Sequence, residues 1–171
     1  LDTLEERRHG GAFCDARAAW LAEALAQQPD RPTLIVLHHP PIAAGIAWMD
    51  PDPAEPWIAR FASATRGAGR IVGVVCGHLH RPIVAGWNGA PLVVAPSSAP
   101  ALALNLSAID ADLPDHRALI RDEPPAFALH RWDGQNLVSH FESIGGVEAL
   151  ARDDAKRQPS IREMLDEPLG R

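Results

Sequence analysis

Two short hydrophobic runs end in histidines, and a helix-like stretch separates them. Thr33 to Leu37 reads T-L-I-V-L and runs into His38-His39-Pro40-Pro41. Ile71 to Cys76 reads I-V-G-V-V-C and runs into Gly77-His78-Leu79-His80. Both runs are continuous, β-branched and too short for helices, the pattern of strands buried on both faces. Between them, from about Ala54 to Ala68, Trp57, Ile58, Phe61 and Ala62 share one side of a helix that Gly67 and Gly69 close. Strand, helix, strand implies a crossover unit and a parallel pair. Few architectures take such a unit, and the fold class expected is α/β.

The parallel pairing has a chemical consequence. In open α/β sheets, ligands gather beyond the carboxyl ends of the strands. If the two strands are neighbours, His38 and the pair His78 and His80 reach one edge together. Neutral imidazole is the commonest side-chain metal ligand and suits borderline divalent ions. Gly77 permits a sharp exit from its strand, and Pro40 and Pro41 stiffen the chain beyond His38. His38, His78 and His80 are therefore the expected metal-ligating set. His39, as the immediate neighbour of His38, is expected to point away from it and to take a supporting, catalytic or substrate-facing role. His9, His116, His130 and His140 stand among charged or alternating residues and read as structural or solvated.

Other histidine chemistries fail on the letters. A His-x-His-x-Asp-His site is excluded by Arg81-Pro82-Ile83, and a third alternating histidine is excluded by Pro82. There is no H-E-x-x-H, no G-x-S-x-G and no phosphate-binding P-loop.

The rest of the chain gives organisation. Asp15 to Gln28 reads as a helix with Asp15 as N-cap and Trp20, Leu21, Ala24 and Leu25 on one face. After Ile83 the chain is strand-rich. Ile83–Trp87 and Pro91–Ala95 are joined by a turn signal, and 127–132 pairs with 137–144 around D-G-Q-N. Along 137–144, Leu137, Ser139, Phe141 and Ser143 are expected on one face, and Val138, His140, Glu142 and Ile144 on the other. Residues 1–150 are assigned to one domain portion, and 151–171 to a charged tail or surface helix.

The 171 residues carry a net charge of −6, which argues against a nucleic-acid polymer as partner. Two cysteines are too few for a disulfide framework, and Cys76 reads as a buried hydrophobe. No apolar stretch approaches the ~18 residues of a membrane span. No signal peptide is visible, and a cytoplasmic location is expected. The chain begins with Leu1 rather than Met, and reads as a piece of a longer polypeptide.

L-H-H-P-P-I with C-G-H-L-H-R-P resembles the C-terminal motif pair of calcineurin-like metallophosphoesterases, in the bacterial branch of glycerophosphodiesterases and class III cyclic-nucleotide phosphodiesterases. L-D-T-L, H-G-G, G-I-A-W-M-D and F-A-L-H-R-W-D-G look like the same branch, and the resemblance runs to about Ile144. It implies an α/β/β/α sandwich of which this chain is the C-terminal portion. It implies a site with two divalent metal ions (iron, manganese, zinc or cobalt) and a two-metal-activated hydroxide that cleaves a small phosphodiester. His38 and His78 resemble ligands of the second metal, and His80 a ligand of the first. Trp48, in the loop from Ile42 to Pro56, reads either as a substrate-stacking residue or as a core or interface tryptophan. The family's D-x-H, G-D-x-x-D and G-N-H-[DE] motifs are absent, so the fragment alone is expected to be inactive. The competing reading is a non-catalytic remnant that binds a partner or self-associates; a homo-oligomer stays open on either reading.

Overall fold

In the computed structural model, residues 1–146 and 148–166 are described. The first helix, α1, spans Asp15–Gln27. Asp15 is its first residue rather than its cap: Cys14 holds the N-cap position, with no side-chain hydrogen bond. Leu21 and Leu25 are buried, whereas Trp20 is 61% exposed, so the apolar face is narrower than its letters imply. Strand β1 (Pro32–Val36) follows, then α2 (Pro56–Thr65) and β2 (Arg70–Cys76). Pro56 starts α2, where a missing N–H costs nothing. Trp57, Ile58 and Phe61 point into the core, and Ala62 is only partly buried.

β1 and β2 pair in parallel, as the crossover pattern requires. β3 (Ile83–Trp87) and β4 (Ala90–Val94) form an antiparallel hairpin, and β4 adds in parallel to β2. The hairpin turns at Asn88 and Gly89, both with positive φ, the geometry a tight two-residue turn needs. The sheet order is β1-β2-β4-β3, which leaves β1 at one edge. One sheet face buries Ile35, Val74, Cys76, Leu92 and Val94 with Leu21, Leu25 and Phe61 of the helices. Burial pushes the Cys76 thiol up to about 12, so it stays a protonated hydrophobe.

Two short strands, β5 (Ala101–Leu102) and β6 (Ile120–Arg121), pair across a long loop. Two-residue strands carry no readable period, and the sequence gives no signal for them. β7 (Ala126–Trp132) and β8 (Leu137–Ser143) form a separate hairpin. The expected alternation holds at its start, with Leu137 and Ser139 partly buried and Val138 and His140 exposed, and fades beyond, where Phe141 and Ser143 are also exposed. Gly73 is where this hairpin meets the sheet: a Cβ there would stand 2.5 Å from Leu137 Cδ2. Helix α3 (Gln158–Leu165) has no buried residue, and 167–171 of the expected tail or surface helix lie outside the described residues.

Candidate functional site

The site is built by continuing a backbone ladder. Beyond β1, Leu37 N–H donates to Val75 O at 3.0 Å, and Gly77 N–H donates to His38 O at 3.0 Å. The two histidine motifs therefore leave the sheet in register, side by side. Gly77 eases the closeness: a Cβ there would stand 3.3 Å from His38 Nδ1, tight enough to press the ring aside by a few tenths of an ångström. After Gly77 the chain turns sharply. His78 has φ 69° and His80 φ 49°, left-handed conformations that are uncommon outside glycine, histidine being among the residues that enter them more often than most. Leu79, with no exposure at all, is the anchor between them. Its burial helps offset a backbone strain of about 1–3 kcal/mol per residue.

His38, His39 and His78 bring one ring nitrogen each within 4.8 Å of one another. Their ring centroids lie 4.7 Å (His38–His39), 4.6 Å (His39–His78) and 5.3 Å (His38–His78) apart. His39 thus joins His38 instead of facing away from it. The strict alternation of a strand ends at Val36, and beyond that residue neighbours are free to converge. His80 stands outside the trio, with Nδ1 3.0 Å from Pro100 O. A carbonyl only accepts, so His80 Nδ1 carries the proton and Nε2 keeps its lone pair.

Electrostatics keep the cluster neutral. Burial pushes the His78 ring down to about 4, and the neighbouring rings of His39, His9, His38 and His80 add to it. Burial also lowers His38, reinforced by His80. His39 is lowered by burial and by His38, against the pull of the His9 and Thr3 carbonyls. Neutral imidazoles are the form that binds metal.

Two further residues belong to the site and were not expected there. Thr3, 1% exposed, holds His39 twice: its hydroxyl oxygen accepts from His39 N–H at 3.2 Å and shares a hydrogen bond with His39 Nδ1 at 2.9 Å. When Nδ1–H is the donor, Nε2 is left as a lone-pair donor. His9, read from sequence as structural or solvated, stacks 4.9 Å from the His78 ring and places Nε2 3.3 Å from Met49 Sδ. The available signal was the H-G-G that follows. Gly11 leaves no room for a Cβ, which would stand 2.9 Å from both His39 Cβ and Trp57. Of the remaining histidines, His130 bonds Ser139 Oγ at 2.8 Å within its hairpin, and His116 and His140 are exposed.

A cavity of about 160 Å³ opens beside the trio. His9, His39 and His78 form part of its wall, and Trp48 and Met49 another part. Two carboxylates line it, and both are engaged. Asp50 accepts from Ala44 N at 2.8 Å and Gly45 N at 2.7 Å, and Glu55 accepts from Arg8 at 2.8 Å.

The donor chemistry fits a divalent metal in one respect: three neutral, converging imidazoles suit zinc, iron, manganese or cobalt. The trio brings no negative charge.

No protein-family model matches the chain. It is 31% identical over 149 residues to a probable glycerophosphodiester phosphodiesterase of Arcobacter nitrofigilis, covering 86% of this chain and 52% of that one. It is 37% identical over 149 residues to a probable cyclic nucleotide phosphodiesterase of Rhodopseudomonas palustris, covering 82% and 50%. A 3′,5′-cyclic adenosine monophosphate phosphodiesterase of Escherichia coli is 32% identical over 98 residues, covering 52% and 32%. The chain spans about half the length of the first two relatives. Among the described residues no helix is long and apolar enough to cross a membrane.

Proposed function

We infer, from the premise that this chain belongs to the glycerophosphodiesterase and cyclic-nucleotide phosphodiesterase branch of the metallophosphoesterases, that it supplies the histidine wall of a phosphodiesterase site. The observation that carries this reading is the convergence of His38, His39 and His78 at the ends of two parallel strands. The reaction is hydrolysis: water oxygen bonds to phosphorus, one P–O ester bond breaks, and a hydroxyl and a phosphomonoester form, on two products from an open phosphodiester and on one from a cyclic one.

His38 and His78 are the proposed metal ligands of this wall, with His80 as the third. His80 Nδ1 is committed to Pro100 O, which orients Nε2 for ligation. A divalent ion held there would neutralise phosphate oxygens and acidify water. His39, fixed by Thr3, takes a supporting or proton-handling role at Nε2. Trp48, half-buried on the cavity wall, offers a flat face for a base or an alkyl leaving group. Residues 1–150 form one portion of the catalytic domain, and 151–171 a surface appendage. Small phosphodiesters are the substrate class; cyclic nucleotides and glycerophosphodiesters are both represented among the relatives' names.

The test is hydrolysis of bis(p-nitrophenyl) phosphate by the natural protein that carries this sequence, supplied with manganese. His38→Ala with His78→Ala is expected to reduce it at least ~100-fold, the loss of ligands exceeding the ~10–100-fold cost of losing their supporting partners. Cobalt(II) visible absorption should fall in parallel. Activity that survives the double replacement refutes the assignment.

A further inference from the structure

Adjacent side chains at the end of the second histidine motif grip one segment at two points. His80 Nδ1 lies 3.0 Å from Pro100 O, and Arg81 Nη1 donates to Leu102 O at 2.7 Å and to Glu123 Oε1 at 3.3 Å. We propose that Arg81, braced by Glu123, is a positioning residue for the phosphodiesterase reaction. It holds the Pro100–Leu102 segment where Pro100 O fixes the His80 ring and leaves Nε2 open to a metal. This rests on the proposed ligand role of His80 and adds the device that sets that ligand up.

The ring depends on a partner held from outside it. His80 sits at φ 49° in a turn, and its bond to Pro100 spans 20 residues of sequence. Which nitrogen of a histidine is free is set by the hydrogen bond that the other one makes. Here the acceptor is a carbonyl, so Nδ1 carries the proton and Nε2 the lone pair. That arrangement lasts only while Pro100 O stays within reach. Pro100 is exposed and enters β5, a strand of only two residues. A proline has no N–H with which to tie itself down. On one side the segment is tied at Ala95, whose N–H donates to Cys76 O at 2.8 Å. On the other side the tie is Arg81 to Leu102 O, two residues past Pro100.

The contacts of Arg81 suit that task better than they suit holding the fold together. Its side chain is 18% exposed and that of Glu123 40%. An ion pair with one partner this open to solvent contributes little stability by itself. A guanidinium does, however, present its donors in a rigid planar fork. One nitrogen of that fork meets both a backbone carbonyl and a carboxylate, so its direction is set from two sides. Glu123 follows β6, the partner strand of β5, and the brace closes across the same small sheet. A single peptide bond separates the ligand from the residue that places the ligand's partner.

The experiment reads the tautomer directly. Long-range proton–nitrogen NMR spectra of the metal-free natural protein that carries this sequence should show His80 protonated at Nδ1. Its signals are assigned by their loss in His80→Gly, a change that the φ of 49° accommodates. Arg81→Met keeps the stem and removes the donors. It should move His80 toward the Nε2–H form while the His39 signals stay in place. Cobalt(II) affinity should fall about 10-fold, the lower end of what losing a ligand's supporting partner costs. Arg81→Lys still has a donor for Leu102 O and should restore both. Glu123→Ala removes the brace at a more open side chain and should shift the tautomer the same way, so the test stands even if Arg81→Met does not fold. An unchanged His80 tautomer in these two variants would overturn the proposal, and so would failure of Arg81→Lys to restore it. Cobalt affinity that falls in His80→Gly but holds in Arg81→Met overturns the proposal alone. Affinity that also holds in His80→Gly removes His80 from the metal site, and the ligand reading falls with the proposal.

Discussion

Lowering the pH from 7 to 4 should cost this chain stability through His78. In the folded chain burial pushes that ring down to about 4, against an ordinary 6.5. The unfolded chain therefore binds a proton first, and it binds more protons than the folded chain throughout the interval. Stability from this group is complete above 6.5 and drains away as pH falls toward 4. At 1.36 kcal/mol per pH unit the interval is worth about 2–3 kcal/mol. His38 and His39 are displaced in the same direction and steepen the slope. The assay is urea unfolding in the presence of a chelator, at pH 7 and pH 4, for the wild type and His78→Asn. Asparagine is chosen because it tolerates the φ of 69° at this position. The wild type should lose about 2–3 kcal/mol more than the variant over the interval. Equal losses in the two proteins would show that His78 titrates like a solvated histidine, and the account of a buried neutral cluster would fall.

Two further outcomes follow from the packing. Thr3→Val removes both hydrogen bonds to His39 and leaves its buried N–H groups without their partner, and should cost about 1–3 kcal/mol in urea unfolding. Gly11→Ala places a methyl 2.9 Å from His39 Cβ and Trp57, and should cost about 1–3 kcal/mol in urea unfolding, whereas Gly67→Ala meets nothing within 4 Å and should cost less despite its φ of 64°.

The sequence by itself determined β1 and β2, the crossover between them, the two later hairpins and the place where each histidine motif begins. These are local matters: continuous β-branched runs, a helical stripe with Phe61 and Trp57, and glycines where the chain must turn. Hydrophobic periodicity is written over five to ten consecutive residues, and it can be read without knowing what lies opposite. The same letters also carried the likeness to phosphodiesterases over most of the chain.

Which imidazoles meet was decided only in three dimensions. Alternation argued that His39 should turn from His38, but the chain is past the last strand residue there, and Thr3, 36 positions earlier, draws the ring inward. His9 reaches the cavity because Gly11 lets the backbone close on Trp57 and His39, a contact invisible to any local pattern. His78 and His80 diverge because buried Leu79 pins the chain between them, while Pro100 O, twenty residues on, claims Nδ1 of the second. Sequence spacing fixes how far apart two groups are along the backbone. Only packing, which sets the exit angle of each strand and the space left for each ring, fixes how far apart they are in space.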